Sequence, residues 1–182
     1  GYQAVGSLTP MAKNLIKVAY GKAPDRSYFG GCSNGGRHAM IAAARYSDQY
    51  DGILAGAPGF HLPKAATAQL WKVQQYASIG SGTVSTGADA GQPDITTAVT
   101  PAEFKLLGER IVAKCDALDG ASDGIVADIK ACQGAFNIKT DVATCSGARD
   151  GSCLTDAQKT VLGNIFAGAK NSKGESTYSN FY

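Results

Sequence analysis

The sequence has little of several things that would mark a function outright. It holds only two histidines, His38 and His61, in 182 residues, so nothing in its second half completes a cysteine and histidine zinc site or supplies an imidazole base. It also lacks an excess of charge of either sign. Seventeen Lys and Arg against fifteen Asp and Glu leave +2, spread along the chain, which makes no field of the kind that gathers nucleic acid or anionic lipid, and neither is expected as a partner. No apolar run approaches the roughly 18 residues of a membrane helix. The first residues lack the basic, then apolar, then small-residue order of a signal peptide. The chain reads as soluble, with no membrane partner. There is no N-x-S/T sequon, hence no acceptor for an N-linked glycan. The sequence opens on Gly1 and closes on "YSNFY", without an obvious natural start or finish, and reads as an excerpt of a longer protein.

What is present points to a globular protein. An apolar content of 44% suffices for one buried core, or one and part of another. Four of the five cysteines, Cys115, Cys132, Cys145 and Cys153, fall within about forty residues, with no C-x-x-C pair among them. Disulfides suit this spacing better than metal. Of the three possible pairings, Cys115 with Cys132 and Cys145 with Cys153 closes the shortest loops. Such bonds imply an oxidising compartment, secreted or periplasmic; the alternative is four reduced core cysteines in a cytosolic protein. Cys32 is left over, directly before Ser33 in "FGGCSNGG".

The first sixty residues alternate between helix and strand signals. "LTPMAKNLIKVAYG" predicts a helix with Thr9 as N-cap, Pro10 in its first turn, apolar Leu15, Ile16 and Val18, and Gly21 as the stop. "RSYFGGC" is β-prone, "GGRHAMIAAARY" favours a buried helix through its alanines, Met40 and Ile41, and "YDGILAGAP" reads as a further buried strand. Helix, strand, helix, strand in that order argues for an α/β fold with a parallel sheet. After Pro63 the texture changes. "IGSGTVSTGADAGQPD" is a surface loop, and capping-box spacings at Thr100 to Glu103 and Thr155 to Gln158 start two amphipathic helices. Residues 1–63 thus form one segment and residues 64–182 a separate, irregular subdomain.

Gly31-Cys32-Ser33-Asn34-Gly35 fits G-x-S-x-G, the nucleophile elbow, in which a tight strand-to-helix turn lifts a serine hydroxyl clear of a sheet. Glycines flank it because side chains there would strike neighbouring backbone. Gly120-Ala121-Ser122-Asp123-Gly124 matches the same pattern, but inside an acidic loop with no strand signal before it and no helix signal after it. Context selects Ser33 as nucleophile, with the Asn34 amide at the helix N-terminus facing a developing oxyanion. The competing reading is a glycine-rich helix entry that packs or binds an anion. His38 lies in the outgoing helix and His61 beyond the next strand, so neither is well placed as the base. A second chemical feature is "CDALDGASDGIVAD", with Asp116, Asp119, Asp123 and Asp128 in one glycine-punctuated loop. Its hard oxygens suit calcium without the EF-hand order. Two consecutive Asp-Gly turns with solvated carboxylates account for the spacing equally well.

Taken together, "YFGGCSNGGRHAMIAAARYSDQYDGILAGAPGFHLP", "CDALDGASDGIVADIKAC" and "CLTDAQ" resemble the tannase and feruloyl esterase family. The resemblance implies an α/β-hydrolase core segment carrying the elbow, followed by part of a large inserted lid. It implies that Ser33 is the nucleophile and the Asn34 amide one oxyanion donor. It also implies a structural calcium ion held by Asp116, Asp119 and Asp123 with the backbone carbonyls of Ala121 and Ile125. Cys32 would pair with a cysteine next to the catalytic histidine, tying base to nucleophile, and that partner, the histidine and the acid would lie outside this chain. The expected substrate is a small aromatic ester, feruloyl, galloyl or related, of plant cell-wall or tannin type, and the 182-residue chain alone is expected to be inert. Two other classes compete: a non-catalytic, calcium-stabilised binding module, and an enzyme using Cys32 itself as nucleophile.

Overall fold

A computed structural model describes residues 2–180, which divide between Leu62 and Pro63 into two compact units. The first unit is built from helix α1 (Tyr2–Tyr20), strand β1 (Tyr28–Cys32), helix α2 (Asn34–Arg45) and strand β2 (Gly52–Gly56). The strands pair in parallel, with Tyr28 opposite Gly52 and Cys32 opposite Gly56. A parallel pair needs a crossover. Here α2 provides it, packing on both strands through buried Gly36, Ala39 and Ala42. Small residues at these positions let the helix lie close to the sheet. At the start of the pair, the Asp51 carboxylate accepts from the Ser27 amide at 2.7 Å and from Arg26 at 3.1 Å, and its pKa falls below the ordinary aspartate value for those reasons, in that order.

Three expectations for this unit need correction. The first helix does not begin at a Thr9 cap; it runs from Tyr2, with Pro10 inside it. Pro10 forfeits a bond to the Gly6 carbonyl, and tertiary contacts hold the helix through that gap. Thr9 Oγ1 donates back to the Val5 carbonyl at 3.0 Å and also bonds the Tyr50 hydroxyl, while Lys13 Nζ donates to the Gln49 carbonyl. Gly6 abuts the Tyr46 ring so closely that a Cβ would lie 2.6 Å from its hydroxyl oxygen. Secondly, β2 is not a buried strand: Leu54 is 72% exposed and Ala55 is also exposed, because among the described residues the sheet has only two strands. Thirdly, α2 buries Ala39 and Ala42 but leaves Met40, Ala43 and Ala44 exposed and Ile41 half-buried.

In the second unit, helix α3 (Leu62–Ala77) was not anticipated from the sequence; α4 (Pro101–Cys115) and α7 (Asp156–Ala167) were, and two short helices, α5 (Ile129–Ala135) and α6 (Ile138–Asp141), lie between them. The glycine-rich stretch after α3 is a loop carrying one isolated bridge, Thr83 to Pro93. Val99, Leu107, Ile138, Val142, Leu154 and Leu162 form the core. Both capping boxes are made in full, Thr100 with Glu103 and Thr155 with Gln158. They are also joined, since Gln158 Nε2 donates to Glu103 Oε2 at 2.9 Å and to the Ala98 carbonyl at 2.9 Å. Arg149 completes the junction with two bonds to the Glu103 carboxylate, at 2.8 and 2.7 Å, and others to the Thr97 and Ala98 carbonyls. Disulfides link Cys115 to Cys132 and Cys145 to Cys153; the second closes the loop that carries Arg149.

Candidate functional site

The end of β1 turns into α2 at one residue. Ser33 sits at the N-cap position with φ 56° and ψ −114°, a left-handed backbone that costs a non-glycine residue of order 1–3 kcal/mol and persists only where the surroundings impose it. Those surroundings are visible. The Ser33 amide donates to the Gly56 carbonyl at 3.1 Å, and the Ser33 carbonyl accepts from the Arg37 amide at 3.1 Å and the Gly59 amide at 3.2 Å. The peptide groups on both sides of the serine are thus pinned, one to β2 and one to the turn after it, while its side chain is exposed.

Close backbone approach explains the glycines, though not all as the motif suggests. A Cβ on Gly31 would lie 2.4 Å from the Gly35 backbone, and one on Gly36 would lie 2.2 Å from the Gly56 carbonyl oxygen. Gly35 itself would meet nothing within 4 Å. The demanding second glycine is Gly36, one place beyond the G-x-S-x-G pattern. Sequence reasoning passed over it because the tight neighbour, Gly56 to Pro58, is twenty residues away and only the parallel pairing brings it in.

Asn34 is the first residue of α2, and its amide donates to no acceptor among the described residues. With the helix dipole behind it, such an amide suits an anion forming on or near the serine oxygen. Cys32 is a free, exposed thiol at the end of β1. Among the described residues no histidine hydrogen-bonds the Ser33 hydroxyl: His38 is a half-buried residue of α2, and His61 is exposed, beside the Phe60 ring, with φ 53°.

The acidic loop has a different order. Asp116 Oδ1 accepts from the amides of Asp123 and Gly124, at 3.2 and 2.8 Å; Asp119 accepts from Ala121 and Ala127, at 3.0 and 2.8 Å; and Asp123 accepts from Ile125 at 3.0 Å. Asp128 caps α5 through the Ala131 amide. A helix therefore does begin shortly after the second G-x-S-x-G match, although no strand leads into it, so Ser122 lacks the elbow. The amides of Ala127 and Ala121 hold the Asp119 carboxyl below its usual range, keeping it ionised. Among the described residues no three His, Cys, Asp or Glu side chains converge on a point where a metal ion would sit. In donor type the loop fits a hard cation; in arrangement its carboxylates serve its own backbone. The second unit also contains an apolar cavity of about 410 Å³ lined by Ile111, Ile129, Phe136 and Phe166 among others, with no ionisable side chain in its wall.

Comparison with known proteins gives the chain a family. The family model described as tannase and feruloyl esterase matches residues 1–182. The chain belongs to the tannase and feruloyl esterase family. It is 40% identical to the mono(2-hydroxyethyl) terephthalate hydrolase of Piscinibacter sakaiensis over 98% of its own length and 30% of that protein's. It is 32% identical to a probable feruloyl esterase B-1 of Neosartorya fischeri, covering 97% of this chain and 31% of the relative. The crystal structure of feruloyl esterase B from Aspergillus oryzae superposes with a TM-score of 0.71 at 28% identity, over 97% of this chain and 32% of that one. The helical chain with its small parallel sheet is thus an α/β segment spanning about a third of the relatives it matches.

Proposed function

We propose that the intact protein is a serine carboxylic ester hydrolase acting on aromatic acid esters. The elbow carries this reading: Ser33 held at φ 56° between a parallel strand and a helix N-terminus. In it, the Ser33 oxygen attacks the ester carbonyl, the Asn34 amide donates to the oxyanion, and the alcohol leaves with the proton the serine gave up. Water then cleaves the acyl-enzyme by the same route. The base is assigned to a histidine outside the described residues, since neither His38 nor His61 bonds the serine, and Cys32 is assigned to a disulfide with a cysteine beside that histidine. Feruloyl, galloyl and related acyl groups of plant cell-wall or tannin type are the proposed substrates, by analogy with the relatives' names. The two disulfides support a secreted or periplasmic setting. Residues 1–63 are proposed as hydrolase core and 64–182 as part of a lid.

Calcium belongs to the proposal on donor chemistry alone, with Asp116, Asp119, Asp123 and the carbonyls of Ala121 and Ile125 as ligands. It would steady the lid, and no chemical step is routed through it. The test of the main reading is covalent labelling of the intact gene product by an alkyl fluorophosphonate. Label on the peptide containing Ser33, lost in Ser33→Ala, is the expected result; an unlabelled protein would favour a binding module.

A further inference from the structure

Beyond β2 the chain stays against the proposed nucleophile for three more residues before it departs. Gly56 takes the Ser33 amide, Pro58 lies where a Cβ on Gly36 would touch it, and Gly59 donates to the Ser33 carbonyl. Phe60 therefore begins one peptide away from the elbow. The segment is held in an unusual shape, with Ala57 at φ 39° and His61 at φ 53°, both non-glycine residues in the left-handed region. That shape holds two rings together: the Phe60 and His61 centroids are 5.0 Å apart and the planes tilted by 57°. Phe60 is 57% exposed and His61 is exposed too. Two rings thus follow directly on the backbone that pins Ser33, and an aromatic face binds another ring by offset or edge-to-face contact.

We infer that Phe60 and His61 form an aromatic wall beside Ser33 against which the ring of the substrate's acyl group stacks. The wall favours aromatic over aliphatic acyl esters. This rests on the serine ester hydrolase reading and names the residues that select within it. Stacking on the wall occurs in the bound ester as well as in the transition state, so its loss appears mainly in KM.

The experiment compares methyl ferulate with methyl butanoate in the intact gene product, alongside fluorophosphonate labelling of Ser33. Phe60→Leu, which keeps apolar bulk and removes the ring, is expected to lower kcat/KM for ferulate roughly tenfold, chiefly through KM, and to change butanoate by less than about twofold. His61→Gly, which suits the left-handed backbone, is expected to shift the same ratio in the same direction, and it decides the matter should Phe60→Leu fail to fold. Labelling rates at Ser33 should match wild type in both. A labelled wild type whose ferulate-to-butanoate ratio neither variant moves overturns the wall alone. A wild type that takes no label at Ser33 overturns the hydrolase reading, and the wall with it.

Discussion

Gly36 illustrates how much a single hydrogen atom in place of a methyl can matter. Its Cα faces the Gly56 carbonyl and the Pro58 backbone, neither of which can rotate aside as a side chain would. Gly36→Ala is expected to destabilise the protein by about 1–3 kcal/mol, the usual range for overpacking, and to loosen the turn that pins Ser33. Gly35→Ala has open space and a helical position, so its expected effect on stability is neutral to favourable by up to about 1 kcal/mol. Thermal melts of the two variants side by side check this. A Gly36→Ala protein as stable as wild type would show that the elbow relaxes more freely than its contacts imply.

At the scale of elements, the second unit depends on one buried carboxylate. Glu103 closes the α4 capping box, receives Gln158 from the α7 box and pairs with Arg149. The Arg149 hydrogen bonds, then those from Thr100 and Gln158, outweigh burial and hold its pKa at about 2 against an ordinary 4.5. A depressed carboxyl pKa stabilises the fold fully above the unfolded value, and that stabilisation drains away as pH falls from about 4.5 to about 2. Urea melts of wild type and Glu103→Gln should therefore differ at neutral pH and converge by about pH 2; a difference independent of pH would remove the charge from the explanation. Arg149→Ala leaves the carboxylate buried without its cation and should cost about 3 kcal/mol or more, measured by the same melts at pH 7. Much of this level was legible in the sequence. Both capping boxes were, because the residues that make them are three apart. Their junction was not, because Gln158 and Glu103 are 55 residues apart and Arg149 sits in an otherwise unremarkable polar loop. The strand-to-helix turn at Ser33 was legible because strand, glycine and helix signals coincide there. The true start of α1 was not, since Pro10 reads locally as a first-turn residue and only Tyr46, Gln49 and Tyr50 reveal what holds the helix past it.

For the molecule as a whole, the proposed calcium ion offers a global readout. Chelation should lower the melting temperature of the intact protein, whereas an unchanged melt would leave Asp116, Asp119 and Asp123 as turn formers only. The two-stranded sheet bears on the molecule in another way. Each of its strands has one partner among the described residues, so each presents a second line of amide and carbonyl groups, with Tyr28 and Leu54 largely in water beside them. Open edges of this kind are templates for other copies of the same strand. Produced by itself, the 182-residue chain should therefore be a poorly behaved solute, monodisperse only when dilute and growing in scattering intensity as it is concentrated, with lysine placed at Leu54 the simplest way to keep it in solution.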